Sequence, residues 1–425
     1  MGKTKVNEKG VPYGAREKMP MWYSLIWSSR GISAAINVIL IGYITFFSTD
    51  ILGLSASVIG MILLESKVID AFTDLGFGYI LDKTKTKIGK ARPYEVFIVF
   101  EWIFTVIMFA VPDAGKTIQY IWLFVTYVII NAICSTALGG IDSVYLARAF
   151  STDNNRIKAI SVNGFVVMFC CMIFNIMIPQ FIANEGTTQS GWIKYAITLA
   201  IPMALIGILR FIFVKEIVVD EPEVNAGAEQ QKLSMKESMG YLFKNKYMFV
   251  IVGLMFFTYI VNNMATATTY YFKYIMGDVS LVSIVSVTAM IVIPGFIIFP
   301  WLARKIGTTK ILQYGSVIGL VGIIIRTVGG ANMTTIIVGG LLFQVGIMPI
   351  TMMINTYLID CMDYGEWKTG VRIEGLVASI NNFAGKLGAG IAAGLIGLVM
   401  GLTGYDGSLA VQSEVATNAI VILYN

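Results

Sequence analysis

The 425 residues are 56% hydrophobic and only 13% charged, with a mean hydropathy of +0.74. A soluble domain carries roughly 25% charged residues, so this composition excludes a soluble globular protein. The net charge of +5 does not call for nucleic acid as a partner, because the basic residues fall where cytoplasmic loops of a membrane protein place them.

The N-terminal tail, MGKTKVNEKGVPYGAREKMP, is polar, and no cleavable signal peptide is expected. Continuous apolar runs follow at 24–48, 57–81, 94–112, 117–149, 157–183 and 191–214. Many exceed the roughly 20 residues that cross a hydrocarbon layer about 30 Å thick. A charged stretch at 215–246 interrupts the pattern, and its SMKESMGYLFKN portion suits a short surface helix. Further runs occupy 247–276, 279–301, 311–330, 333–360 and 373–401. Another begins near Ala416 as the sequence ends at Asn425, so this twelfth span is expected to be incomplete.

The predicted fold is therefore an all-α polytopic membrane protein. Its expected domains are an N-terminal six-helix bundle over 1–214, a cytoplasmic linker over 215–246 and a C-terminal bundle over 247–425. Each half carries a basic loop after its second span, GYILDKTKTKIGKARP at 78–93 and PWLARKIGTTK at 300–310. Weak internal symmetry of this kind suits a transporter built from two pseudo-symmetric halves with its site near the midplane. Topology follows from the basic residues. The tail holds Lys3, Lys5, Lys9, Arg16 and Lys18, and the 82–93 loop holds Lys83, Lys85, Lys87, Lys90 and Arg92. The 49–56 turn has none, and the next outer loop has only Lys116. The N-terminus is thus expected in the cytoplasm, and the chain in the cell (cytoplasmic) membrane with the lipid bilayer as its solvent.

Ionisable residues inside a membrane are costly and mark function. The densest set is on the second span: Glu65, Lys67, Asp70 and Asp74 in LLESKVIDAFTDLGFGYIL. Asp70 and Asp74 are four apart and share one helix face, with Lys67 three before Asp70 on the same side. Two carboxylates so close repel unless a cation, a proton or a basic group lies between them. Carboxylate and hydroxyl oxygens are the ligands a hard cation such as Na+ prefers, and Thr73 adds a neighbouring hydroxyl. Lys386, alone in NNFAGKLGAGIAAGLIGLVM, is a candidate counter-charge. The competing reading is a buried charge cluster that merely holds helices together. Asp142, in STALGGIDSVYLARAF, is a candidate lining residue of a substrate cavity, together with Asp70 and Lys386. Arg30, Glu101, Arg210 and Lys273 lie near span ends, where snorkelling accounts for them. Cys134, Cys170, Cys171 and Cys361 have no metal spacing and read as packing residues. With no histidine in the chain there is no Ser-His-Asp triad and no imidazole relay, and no GxxxxGK[ST] loop points to ATP hydrolysis. The expected energy source is an ion gradient.

The segment DAFTDLGFGYILDKTKTKIGKARP (70–93) resembles the glycoside–pentoside–hexuronide:cation symporters, which carry Asp-x-x-x-Asp on this helix followed by a Gly-Lys-x-(Arg/Lys)-Pro loop end. DYGEWKTGVRIEG (363–375), FFSTDILGLS (46–55) and STDNNR (151–156) are further matches, and the likeness runs over the whole chain. The resemblance implies the major-facilitator fold, alternating access, and coupling to Na+ or protons, with Li+ a further candidate. It implies cation-site roles for Asp70, Thr73 and Asp74, a place near both cation and solute for Lys386, and a basic partner in Lys67. It also exposes departures. Positions at which the melibiose carriers of this family hold sugar-binding residues read Ala34, Gly140, Val144 and Phe165, and a cation-site hydroxyl falls at Ala137.

These readings lead to a monomeric symporter of a small solute, a sugar or glycoside, that needs no cofactor beyond its coupling cation. The alternatives are a lysolipid or amphiphile symporter of the same fold and a membrane sensor that binds solute without moving it. An enzyme is not expected.

Overall fold

The computed structural model describes residues 13–16, 19–84, 86–217, 245–289, 294–370 and 374–425, and every regular element among them is helical. Within a hydrocarbon layer the backbone must bond inside its own segment, and a helix achieves that locally. The expected surface helix at SMKESMGYLFKN, apart from Asn245, lies outside the described residues, as do 371–373 and the tail before Tyr13.

In chain order the helices are α1 (Met21–Gly42), α2 (Ala56–Lys83), α3 (Phe97–Phe109), α4 (Lys116–Val128), α5 (Thr136–Ala149), α6 (Asp153–Asn184) and α7 (Gln189–Phe213). After the linker come α8 (Lys246–Met264), α9 (Ala267–Tyr274), α10 (Leu281–Ala289), α11 (Gly295–Ile306), α12 (Thr308–Gly329), α13 (Met333–Thr369), α14 (Glu374–Leu402) and α15 (Glu414–Tyr424). Two π-helical segments bear on function. Phe47–Ile51 follows α1, and Ile129–Ser135 joins α4 to α5 without a break.

Among the described residues, eight stretches are long and apolar enough to span a membrane, including Met21–Ile51, Lys116–Ala149 and Phe383–Leu402. Three expected spans differ. At 28 residues α2 has the length, but the four ionisable side chains in its middle make it less apolar. The 94–112 run begins as a 3-10 turn at Arg92–Val96 and leaves α3 only 13 residues. The 279–301 run is divided between α10 and α11.

The described residues group into two compact units. The first is drawn from 1–44, 66–175 and 185–222, the second from 45–65, 176–184 and 223–425. In the first, Tyr23, Trp27, Leu81, Ile141, Tyr145, Phe150 and Val214 form a buried core. Glu216 is also buried there. Its carboxylate accepts the backbone N–H groups of Lys90, Ala91 and Arg92 at 2.9, 2.7 and 2.7 Å and pairs with Arg148 at 2.8 Å. Gly89 has φ +127°, and a Cβ there would stand 2.4 Å from this carboxyl group, so glycine is required by both conformation and space.

In the second unit α12 and α13 meet through glycines. A Cβ on Gly346 would lie 2.4 Å from Gly319 N and 2.6 Å from Gly315 O. Small residues let backbones in a membrane approach this closely, and dispersion between them replaces a hydrophobic drive that lipid cannot supply. Gly346→Leu is accordingly expected to prevent assembly of this helix pair. The check is size-exclusion chromatography in detergent, where the variant should be lost to aggregate; a monodisperse peak at the wild-type position would contradict it.

Candidate functional site

Besides the Glu216 cluster, two polar clusters among the described residues of the first unit bear on function. On α2, Asp70 and Asp74 point toward the start of α5. Thr136 Oγ1 stands 2.9 Å from Asp70 Oδ1 and 2.9 Å from Asp74 Oδ1, and Asp70 is 3% exposed. A hydroxyl carries one proton, which it can give fully to only one of the two carboxylates. Two carboxylates sharing one hydroxyl repel each other, and a positive charge or a proton between them lowers that repulsion. Lys67 lies at the flank, its Nζ 3.6 Å from Asp70 Oδ2 and 2.8 Å from Asn131 Oδ1, and 5.6 Å from the Tyr127 ring centre. The sequence-predicted group of Asp70, Asp74 and Lys67 is thus brought together. Thr73 differs, since its hydroxyl donates to the Asp70 carbonyl of its own helix at 3.0 Å. Lys386 lies on α14 in the second unit and is half-buried.

Sequence reasoning missed Thr136. It placed the cation-site hydroxyl one position later, at Ala137, a fully buried methyl with no polar atom to offer. The available signal was the Ser135–Thr136 hydroxyl pair in an otherwise apolar span. Two carboxylate oxygens and a hydroxyl oxygen make a donor set suited to a hard monovalent cation. Among the described residues no three acidic, histidine or cysteine side chains come together, which is the arrangement a tightly held divalent metal would want. A cation here would complete its coordination with carbonyl or water oxygens.

The second cluster overturns the snorkelling reading of Arg30, Arg210 and Glu101. The arginines do not extend into solvent. Both are buried, at 5% and 2% exposure, and share two carboxylates. Arg30 pairs with Asp142 and lies 3.8 Å from Glu95, while Arg210 is 3.2 Å from Glu95 Oε1 and 3.0 Å from Asp142 Oδ1. The Arg210 guanidinium also lies over Trp27, 3.5 Å from its ring centre. Glu95 is fully buried, whereas the Asp142 side chain keeps 49% of its surface. Glu101, 1% exposed, accepts from Ser135 Oγ at 2.8 Å. Snorkelling fails because the partners come from the 3-10 turn before α3 and from α5, far away in sequence.

Lys273 is corrected in the same way, within the second unit. Its Nζ is 2.5 Å from Asp50 Oδ1, and the buried Asp50 carboxylate also accepts from Thr49, Tyr274 and Tyr405 at 2.7, 2.7 and 2.6 Å. Burial, reinforced by the Asp50 charge, raises the Tyr405 phenol above its ordinary pKa, so it serves as a donor. FFSTDILGLS held the sequence signal for Asp50. The four cysteines are free thiols, Cys134 and Cys361 buried.

A family profile described as "MFS/sugar transport protein" matches residues 32–425. The isoprimeverose transporter of Lactiplantibacillus pentosus is 30% identical over 390 residues, covering 90% of this chain and 80% of the relative. The glucuronide carrier protein homolog of Escherichia coli K12 is 25% identical over 411 residues, covering 93% and 86%. Among solved structures, the inward-open xylose transporter from E. coli aligns with a TM-score of 0.61 over 95% and 94% of the two chains at 16% identity. A D-xylose-proton symporter aligns with 0.64 over 89% of each at 15% identity. At such identities the structures speak for the fold, which is that of the major facilitators. The multi-pass helices, the profile and the relatives agree that this chain belongs to the major-facilitator sugar transporters of the glycoside–pentoside–hexuronide symporter type, a transport family and not an enzyme family.

Proposed function

We propose that the protein is a secondary active symporter that imports a glycoside, pentoside, hexuronide or related sugar with a cation, Na+ or H+, by alternating access. The observation that carries this reading is the meeting of Asp70, Asp74 and Thr136, where two carboxylates converge on one hydroxyl. Two carboxylates this close repel, and a monovalent cation or a proton between them relieves that repulsion. Lys67 takes part of the negative charge through Asp70, and Lys386 is assigned the coupling role on the second unit. Cation binding that favours the sugar-accepting conformation is a coupling free energy, so the sugar must raise cation affinity by the same factor. The relatives named for isoprimeverose and glucuronide support a sugar as the solute. In this reading the protein works as a monomer in the cytoplasmic membrane with its N-terminus inside.

Thermal unfolding of the purified protein tests both ligands together. Na+, Li+ and K+ are compared at matched ionic strength and several pH values, each with a panel of glycosides, pentosides and hexuronides. A ligand that binds only the folded state raises Tm by linkage. The expected result is a rise with one cation that one sugar enlarges and that disappears in Asp70→Asn. A rise with falling pH alone, also lost in Asp70→Asn, assigns the coupling to protons. No response to any cation, pH change or sugar would overturn the proposal.

A further inference from the structure

The Arg30–Glu95–Asp142–Arg210 cluster bears on which sugars the transporter accepts. Its charges balance, with two guanidiniums against two carboxylates, but their exposure is unequal. The side chains of Arg30, Arg210 and Glu95 are 6%, 2% and 0% exposed, while that of Asp142 is 49% exposed. Both arginines reach the same Asp142 oxygen, Oδ1, so Oδ2 and half of the side-chain surface stay outside the network. Asp142 sits seven residues before the end of α5 at Ala149, about 10 Å along the axis. A carboxylate so far inside a span is costly to leave in lipid, and its exposed side is best satisfied by water or by solute hydroxyls. The unit therefore shows passing solute a hydrogen-bond acceptor with negative charge, and its guanidiniums stand behind that carboxylate. Lys67, on α2 of the same unit, is engaged by Asp70 and Asn131.

We infer that Asp142 is a specificity-determining residue that selects neutral sugars over sugar acids. Hydroxyl groups of an uncharged glycoside donate to the exposed carboxylate. A uronide offers an anion to an anion, and can reach Arg30 and Arg210 only by expelling Asp142 from them. This inference rests on the sugar-symport reading above and narrows it to the uncharged members of that substrate class.

The test uses matched pairs that differ only at C6, an aryl glucoside against the corresponding aryl glucuronide, with the aryl xyloside as a further neutral ligand. Binding to the detergent-purified protein is measured by calorimetry in the coupling cation. Wild type is expected to bind a neutral member at least about tenfold tighter than its uronide. In Asp142→Asn, which keeps the side-chain shape but leaves the guanidiniums with one fewer counter-charge, the preference should shift toward the uronide by about tenfold. Asp142→Ser provides a second variant should the amide fail to fold, and Tm is recorded for both. A uronide that binds wild type as tightly as its neutral partner would overturn the inference alone, as would an unchanged preference in the folded variant. If no member of any pair binds wild type, the sugar reading falls and the inference with it.

Discussion

Asp70→Asn and Asp74→Asn are each expected to abolish uphill accumulation of solute while leaving a folded protein. Each removes one charge from a pair that shares the Thr136 hydroxyl, and an amide of the same shape holds the helices but not the cation. One charge moving inward across 100 mV supplies about 2.3 kcal/mol, enough to concentrate a neutral solute roughly fiftyfold. Without a bound cation that work is not coupled, and only downhill exchange should survive. Thr136→Val should act more mildly, raising the cation concentration needed for half-maximal uptake without abolishing it. Accumulation in energised membrane vesicles is the readout. Full accumulation by both aspartate variants would remove the cation from this site.

Stability should respond most sharply at Glu95. Its carboxylate is the wholly buried counter-charge of Arg210, 3.2 Å away, and lies within 3.8 Å of Arg30. Glu95→Ala strands guanidinium charge in the interior, and breaking a buried pair from one side costs about 3–5 kcal/mol. Glu95→Ala is therefore expected to lower the melting temperature far more than Asp142→Asn, where water can reach the half-exposed side chain and solvate what remains. Fluorescence-detected unfolding in detergent compares the two. Equal melting temperatures for Glu95→Ala and wild type would show that Arg210 is neutralised by another route.

The membrane architecture was legible because length and apolarity are local properties, and eight of the expected spans reappear as long apolar helices. Charges with a partner on their own helix were legible as well. Lys67 and Asp70 are three residues apart, and helix geometry alone predicts their meeting. Charges whose partners come from another helix were not. Arg210 near the end of α7 looked like a side chain reaching for the surface, because nothing in its neighbourhood hints at Glu95 or Asp142. Lys273 was misread for the same reason, since its partner Asp50 lies 223 positions away. Thr136 adjoins Ala137, where the resemblance put a cation-site hydroxyl, and the turn of the helix is irregular immediately before it.

That irregularity, the π-helical run Ile129–Ser135, sets the rotational phase of everything that follows it. A π turn accommodates a residue more than an α turn does. Deleting one residue within it would let the span rewind as plain α-helix and rotate α5 by about 100°. Thr136 would then swing off Asp70 and Asp74, and Asp142 would swing off Arg30 and Arg210 in the same motion. On the proposed reading, cation coordination and sugar discrimination are both indexed to a single inserted residue in this span.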